Sequence, residues 1–502
     1  MSESINPEAP EAGYTPRQMI GLGGGVALFV LFLALPPPEG MTEKGMLVAA
    51  MAGLMAVWWI SEAVPVYATA LIPLVVLPPL GVMDLKAAAA PYANPIIFLF
   101  MGGFMIALAM QRWGLHRRIA LTILAWTGTG PQQLVGGIIA ATVFVSLWIN
   151  NTSTTLMMLP IALSILPLLR RGDAEESRRF EACMVLGVAY GASIGGIGTL
   201  IGTAPNALLA GFIQQTYGYT IPFAAWMAFG IPVSFTIAAL CWVLLARVLY
   251  PLPTAPVPGV AELIARERAA LGPLRGGERA IAIAFTAAAA LWMGQPLIAD
   301  AFPALKISDA GIAMTVAFLL FVIPVDLKRG IFVLNWEWAN KIPWGLLVLF
   351  GGGLSLAEAA GASGLAEWLG QTMASWSGVS IALLVFAVVA LIVFLSEIAS
   401  NTATAATLLP VLATAAIALG QNPLLLCIAG ATAASGGFML PVATPPNAIA
   451  FGTGHVNVQQ MARAGLWLDI VWVTIVSLGV LVLLPMALGV ELGVVPDWAA
   501  KK

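Results

Sequence analysis

WINNTSTTLMMLP (residues 148–160) and EIASNTATAATLLP (residues 397–410) are two versions of one unusual segment, set 250 positions apart. Each places an Asn-Thr pair (Asn151-Thr152, Asn401-Thr402) inside apolar sequence, with a proline nine residues after the Asn, at Pro160 and Pro410. Amides and hydroxyls are costly in a helix surrounded by hydrocarbon. A duplicated cluster of them therefore points to one binding site built from two halves.

The surrounding chain sets the environment. It has 502 residues, 60% of them hydrophobic and only 9% charged. Soluble domains carry about 25% charged residues, so this composition predicts an all-α polytopic membrane protein. Met19 to Leu35, Val233 to Leu249 and Leu466 to Leu488 each approach or exceed the roughly 20 residues a spanning helix needs. The 51 glycines and 34 prolines fit helices that are interrupted, which hydrocarbon tolerates only where the backbone is buried or lines a cavity. A net charge of −2 gives no reason to expect a nucleic acid partner. Cys183, Cys241 and Cys427 have no CxxC spacing and read as small core residues. The acidic start (Glu3, Glu8, Glu11) marks the first apolar run as a retained span rather than a cleaved signal.

Working outward, the 250-residue offset also pairs Phe100–Phe104 with Phe350–Leu354 and Ser146 with Ser396. Further on, Thr203-Ala204-Pro205-Asn206 matches Thr444-Pro445-Pro446-Asn447 at an offset of 241. The lost residues fall where the first copy has the loop RRGDAEESRR (Arg170 to Arg179) and the second only an uncharged turn. By the positive-inside rule the first loop is cytoplasmic and its counterpart is not, so the repeats are expected to be inverted. The charged stretch from Arg247 to Arg279, and Asp326, Lys328 and Arg329, also fall on the cytoplasmic side.

Asn94 to Met110 and Trp344 to Ala360 precede the signatures, each with a central glycine pair. Each is read as a re-entrant hairpin in preference to its alternative, a plain spanning helix with a packing glycine, since glycine lets backbones pack closely. The Thr-x-Pro-Asn blocks are expected to unwind their helices, because proline removes a backbone donor. Freed carbonyls suit a hard cation, and new half-helix N-termini suit an anion. No charged residue lies between Arg118 and Arg170, from Ala182 to Ala246, or from Ile398 to Ala462. An anion held without Arg or Lys from these segments argues for a co-bound cation. Ser153, Thr154, Thr155, Thr404 and Thr407 read as ligands or as interhelical glue, Glu397 as a brace for its loop, and Glu62 as interfacial. His116, Arg112, Arg117 and Arg118 mark an amphipathic interfacial helix. Gly191–Gly195 matches the GxSxG pattern of hydrolases but lacks its strand-turn-helix context, so no enzyme is expected.

With its Asn-Thr pairs, its intact Thr444-Pro445-Pro446-Asn447 block and WWISEAVPVYATALIP (58–73), the chain resembles the divalent anion:sodium symporter family over nearly its whole length. The resemblance implies about eleven transmembrane helices, two re-entrant hairpins in inverted repeats, a homodimer in contact with membrane lipid, and a transport domain that slides as an elevator against a scaffold. It suggests 1–93 as N-terminal tail and scaffold, 94–216 as the first transport half, 217–340 as cytoplasmic linker and scaffold, 341–463 as the second transport half, and 464–502 as a C-terminal helix. One sodium ion would sit near Ser146, Asn150, Asn151 and Gly202, another near Ser396, Ala399, Asn401 and Ala443. Substrate carboxylates would meet Asn151, Thr152, Thr203, Asn401, Thr402, Thr444 and Pro445. Two departures stand out: Asn150 replaces the family's serine, and Thr203–Asn206 lacks one proline. The expected function is sodium-coupled symport of a C4-dicarboxylate such as succinate, fumarate or malate across a bacterial cytoplasmic membrane. A sodium-independent dicarboxylate exchanger, or a citrate or sulfate transporter of the same family, is the alternative.

Overall fold

A computed structural model describes residues 13–169, 174–373 and 380–500. The acidic tail and the start of the Arg170–Arg179 loop lie outside the described residues. Among the described residues the regular elements are helices apart from a two-stranded antiparallel hairpin, β1 (Pro324–Asp326) and β2 (Ile331–Phe332). Among the described residues, eight helical segments are long and apolar enough to cross a membrane, and shorter apolar helices accompany them. The segments beginning at Met19, Val233 and Leu466 all lie in or along such helices.

Helices α1 (Pro16–Ala34) and α2 (Glu43–Ser61) pack on each other. Then come α3 (Pro95–Trp113), α4 (Leu115–Thr127), α5 (Pro131–Ser146), α6 (Asn151–Leu169), α7 (Ala174–Gly196) and α8 (Ala204–Tyr217). Helices α9 (Phe223–Val243), α10 (Val260–Ala270), α11 (Gly276–Ala301) and α12 (Asp309–Val322) lead to the β-hairpin. The second half runs α13 (Trp344–Ala362), α14 (Leu365–Met373), α15 (Ile381–Ser396), α16 (Asn401–Ala418), α17 (Pro423–Ala433), α18 (Pro445–Gly452) and α19 (Val458–Leu488). Helices α3–α8 and α13–α18 thus follow the same order: a long helix, a short amphipathic one, a pair, and a broken helix.

The glycine-rich segments 94–110 and 344–360 are single helices, α3 and α13, without a break at their glycines. This corrects the hairpin reading of these two segments, each of which is one continuous helix. A Cβ on Gly102 would lie 2.7 Å from the backbone of Ala313 in α12, and one on Gly352 2.2 Å from the Ala70 carbonyl oxygen. The tight turns come one step later, at the signatures. Helices α5 and α6 are separated by only residues 147–150 and both pack on α7; α15 and α16 are separated by 397–400 and both pack on α17. Sequence alone does not separate a glycine that makes a turn from one that admits a neighbour.

The two halves interlock. Helix α8 of the first packs on α16 and α17 of the second, while α18 of the second packs on α6 and α7 of the first. Tyr190 ties them further, its hydroxyl donating to the carbonyls of Phe438 (3.1 Å) and Met461 (3.2 Å). The amphipathic α4 is fastened to the linker by Arg117–Glu267 (2.5 Å) and by a two-pronged Arg118–Glu278 pair (2.6 and 2.8 Å). That contact raises the Arg118 guanidinium pKa above its ordinary value.

Candidate functional site

Each half breaks its chain twice. The first break is the turn between Ser146 and Asn151, or between Ser396 and Asn401; the second runs from Ile197 to Thr203, or from Ala434 to Thr444. The prolines of the Thr-x-Pro-Asn blocks do not lie in the unwound backbone. They open the following half-helix, at the first or second position of α8 and α18, where a missing N–H costs nothing. This corrects the expectation that the block itself unwinds.

Across each second break an asparagine acts as a staple. Asn206 Nδ2 donates to the carbonyls of Gly196 (3.2 Å) and Thr199 (2.8 Å); Asn447 Nδ2 donates to those of Gly437 (3.2 Å) and Leu440 (3.0 Å). The acceptors lie ten and seven residues upstream in both copies. Two independent breaks with the same hydrogen-bond spacing are strong evidence of a structural repeat.

The copies differ in how their turns are braced. In the second, the Glu397 carboxylate accepts the amides of Phe438 (2.6 Å), Met439 (2.9 Å) and Leu440 (3.0 Å) and is 4% exposed. This is the bracing role expected for it. In the first copy its counterpart is Leu147, whose carbonyl accepts from the Thr199 hydroxyl. Asn150 caps α6, its Oδ1 accepting the Ser153 amide at 2.9 Å, whereas Ser400 makes no such side-chain bond to α16. Asn and Ser are both favoured caps, so the exchange at 150 keeps the local fold.

Four half-helix N-termini, those of α6, α8, α16 and α18, line one cavity of about 720 Å³. Its wall includes Asn150, Asn151, Thr152, Gly202 and Thr203 from the first half, and Asn401, Thr402, Ala443, Thr444 and Pro445 from the second. Of the expected site residues, Ser146, Ser396 and Ala399 do not line it but lie buried behind it. Ser146 Oγ donates to Asn151 Oδ1 (3.0 Å) and to the Ala192 carbonyl (2.6 Å). Asn401 Oδ1, by contrast, is buried without a partner among the described residues. Gly202 is held by close approach, since a Cβ there would lie 2.4 Å from the Gly196 carbonyl oxygen. Thr154, Thr155 and Thr407 turn their hydroxyls to their own chain's carbonyls, which is the local, structural use of such groups.

Two charged residues also line the cavity, Glu62 and Lys341. The charge-free stretches around the signatures are real, but the cavity is not all neutral. Both charges come from distant sequence, the end of α2 and the approach to α13. The serine of the GxSxG match, Ser193, lies inside α7 and is fully buried.

The model of the sodium:sulfate symporter transmembrane region matches residues 18–489. The chain belongs to this symporter family. It is a family of multi-pass membrane transporters, not of enzymes, and it is the divalent anion:sodium symporter group that the signatures resemble. This symporter-family chain is 40% identical over 485 residues to the sodium-dependent dicarboxylate transporter SdcS of Staphylococcus saprophyticus, covering 95% of this chain and 93% of the relative. With the protein of the same name from Staphylococcus aureus strain USA300 it shares 39% over 488 residues, 95% and 94% of the two chains. In fold it is similar to the Alcanivorax borkumensis YdaH transporter (TM-score 0.54, 16% identity, 94% and 97% of the chains covered). Neisseria gonorrhoeae MtrF is similar at TM-score 0.57, with 15% identity and 93% and 96% covered.

Proposed function

We propose that the protein is a sodium-coupled symporter of small divalent anions, with C4-dicarboxylates such as succinate as the preferred class, working in a bacterial cytoplasmic membrane. The observation that carries this is the meeting of four helix N-termini at one cavity. The N-termini of α6, α8 and α16 present unpaired N–H groups, while α18 opens with Pro445 and Pro446 and its Asn447 amide donates to Thr444 Oγ1 (3.3 Å). Each of the four carries about half a positive charge, so a dianion is stabilised without an arginine clamp. Substrate carboxylates would contact Asn151, Thr152, Thr203, Asn401, Thr402, Thr444 and Pro445.

The same breaks leave half-helix C-termini and unwound carbonyls close by, which suit sodium. Asn401 Oδ1, buried and without a partner among the described residues, fits the ligand role, with Ser396, Ala399 and Ala443 around it. A first sodium site would use Ser146, Asn150, Asn151 and Gly202. Sodium here is co-transported cargo. The relatives named sodium-dependent dicarboxylate transporters agree with this reading.

Lys341 at the cavity wall belongs to the connection that also carries Asp326, Lys328 and Arg329. By the positive-inside rule that connection is cytoplasmic, so the cavity opens inward in this conformation. Transport would follow from the interlocked halves sliding as an inverted-repeat elevator against a scaffold built on residues 1–93 and 217–340, within a lipid-embedded homodimer.

A sodium-independent dicarboxylate exchanger is the second reading. It is favoured by the first half-site, where Asn150 Oδ1 already accepts the Ser153 amide and Asn151 Oδ1 the Ser146 hydroxyl. Uptake of labelled succinate into proteoliposomes, with sodium or choline outside and citrate and sulfate as competitors, decides between them. Symport predicts uptake that collapses in choline; equal uptake in both salts refutes it.

A further inference from the structure

We infer that Lys341 selects anion charge at the cavity: its ammonium draws divalent anions to the paired half-sites from the cytoplasmic side, with Glu62 acting against it. This rests on the reading of the cavity as the anion site. The cavity wall is neutral but for these two side chains. Among the described residues Lys341 has no carboxylate in ion-pair contact. Its ammonium lies 3.8 Å from the centroid of the Trp338 ring, and its backbone amide donates to the Trp338 carbonyl at 3.0 Å. The cation is therefore held on an aromatic face, which restrains its position and leaves its charge unneutralised.

Glu62 is fixed in place through its backbone. It ends α2 at φ 53°, the one described non-glycine residue with positive φ, a conformation that costs about 1–3 kcal/mol and persists only where its surroundings impose it. Its carbonyl accepts from Gln18 Nε2 at 3.2 Å. Arg17, one residue earlier, bonds the carbonyls of Ile60 and Ile398, joining this turn to the second signature turn. The two charges thus sit on turns far apart in the sequence, and both line the cavity that the neutral signatures line.

Coulomb energy is linear in ligand charge, so removing one fixed cation weakens a dianion by the square of the factor it costs a monoanion. Seen across a solvated cavity, the loss is about threefold for a monoanion and about ninefold for a dianion. Helix N-termini alone would leave that ratio unchanged.

The test measures binding of succinate and of monomethyl succinate to the full-length protein in nanodiscs, in sodium, for wild type, K341Q, K341R and E62Q. The expected result is that K341Q weakens succinate about ninefold and the monoester about threefold, K341R stays within about twofold of wild type, and E62Q tightens succinate. Equal losses for both ligands in K341Q, or a K341R as weak as K341Q, would mean that Lys341 acts through shape and overturn the inference. K341Q equal to wild type overturns it too, while wild-type binding leaves the cavity reading standing. A wild type that binds neither succinate nor sulfate overturns the cavity reading and this inference together.

Discussion

Replacing Glu397 by Gln should loosen the unwound segment of the second half-site and leave the first untouched. In the native protein one carboxylate oxygen accepts the Phe438 and Met439 amides (2.6 and 2.9 Å) and the other accepts the Leu440 amide (3.0 Å). Hydrogen bonds to a charged group contribute about 1.5–3 kcal/mol each, against about 0.5–1.5 for neutral pairs. Gln keeps an oxygen for the first two amides but turns an NH₂ toward the third. One bond is lost (about 1.5–3 kcal/mol) and two are weakened (about 1–1.5 kcal/mol each), a total of about 3.5–6 kcal/mol. At about 1.4 kcal/mol per factor of ten, local opening becomes about 300- to 20,000-fold more frequent. Hydrogen exchange read by mass spectrometry on peptides covering 438–440 checks this, with a peptide covering 197–203 as internal control. There Leu147 replaces the glutamate and the Thr199 hydroxyl supplies the brace. Exchange at 438–440 unchanged within about threefold, or equal acceleration in both peptides, would refute the reasoning.

Gly202→Ala should abolish succinate binding while the protein still purifies as a folded species, because its Cβ meets the Gly196 carbonyl at 2.4 Å and overpacking there costs about 1–3 kcal/mol. Retention of wild-type affinity would contradict the close approach. Asn206→Ala and Asn447→Ala each remove two buried bonds and should lower thermal stability by matching amounts, about 2–4 kcal/mol apiece, measured by unfolding in detergent. A large loss from one and none from the other would mean that the staples are not equivalent.

Much of the site was legible in the linear order of residues because its physics is local. An Asn-Thr pair, a proline block and a carboxylate beside an unwound loop declare themselves wherever they occur, and Glu397 braces its loop as its position suggested. Three features were hidden. The glycines at 102–103 and 351–353 suit a hairpin, yet Gly102 and Gly352 admit Ala313 and Ala70 against continuous helices, a distinction set by partners far away in the chain. The proline blocks were read as the breaks, whereas their fixed φ makes them good first-turn residues and the breaks fall just upstream. Lys341 and Glu62 lie outside the signature segments, and only tertiary folding brings them to the cavity.

The central claim is that anion and sodium bind to one site made of two halves. Succinate affinity measured as a function of sodium concentration, in wild type and Asn401→Ala, tests it most directly, because binding linkage is reciprocal. The account predicts that succinate binding tightens steadily as sodium replaces choline, and that Asn401→Ala flattens this dependence. Succinate affinity that stays the same across the sodium range in the wild type would contradict it.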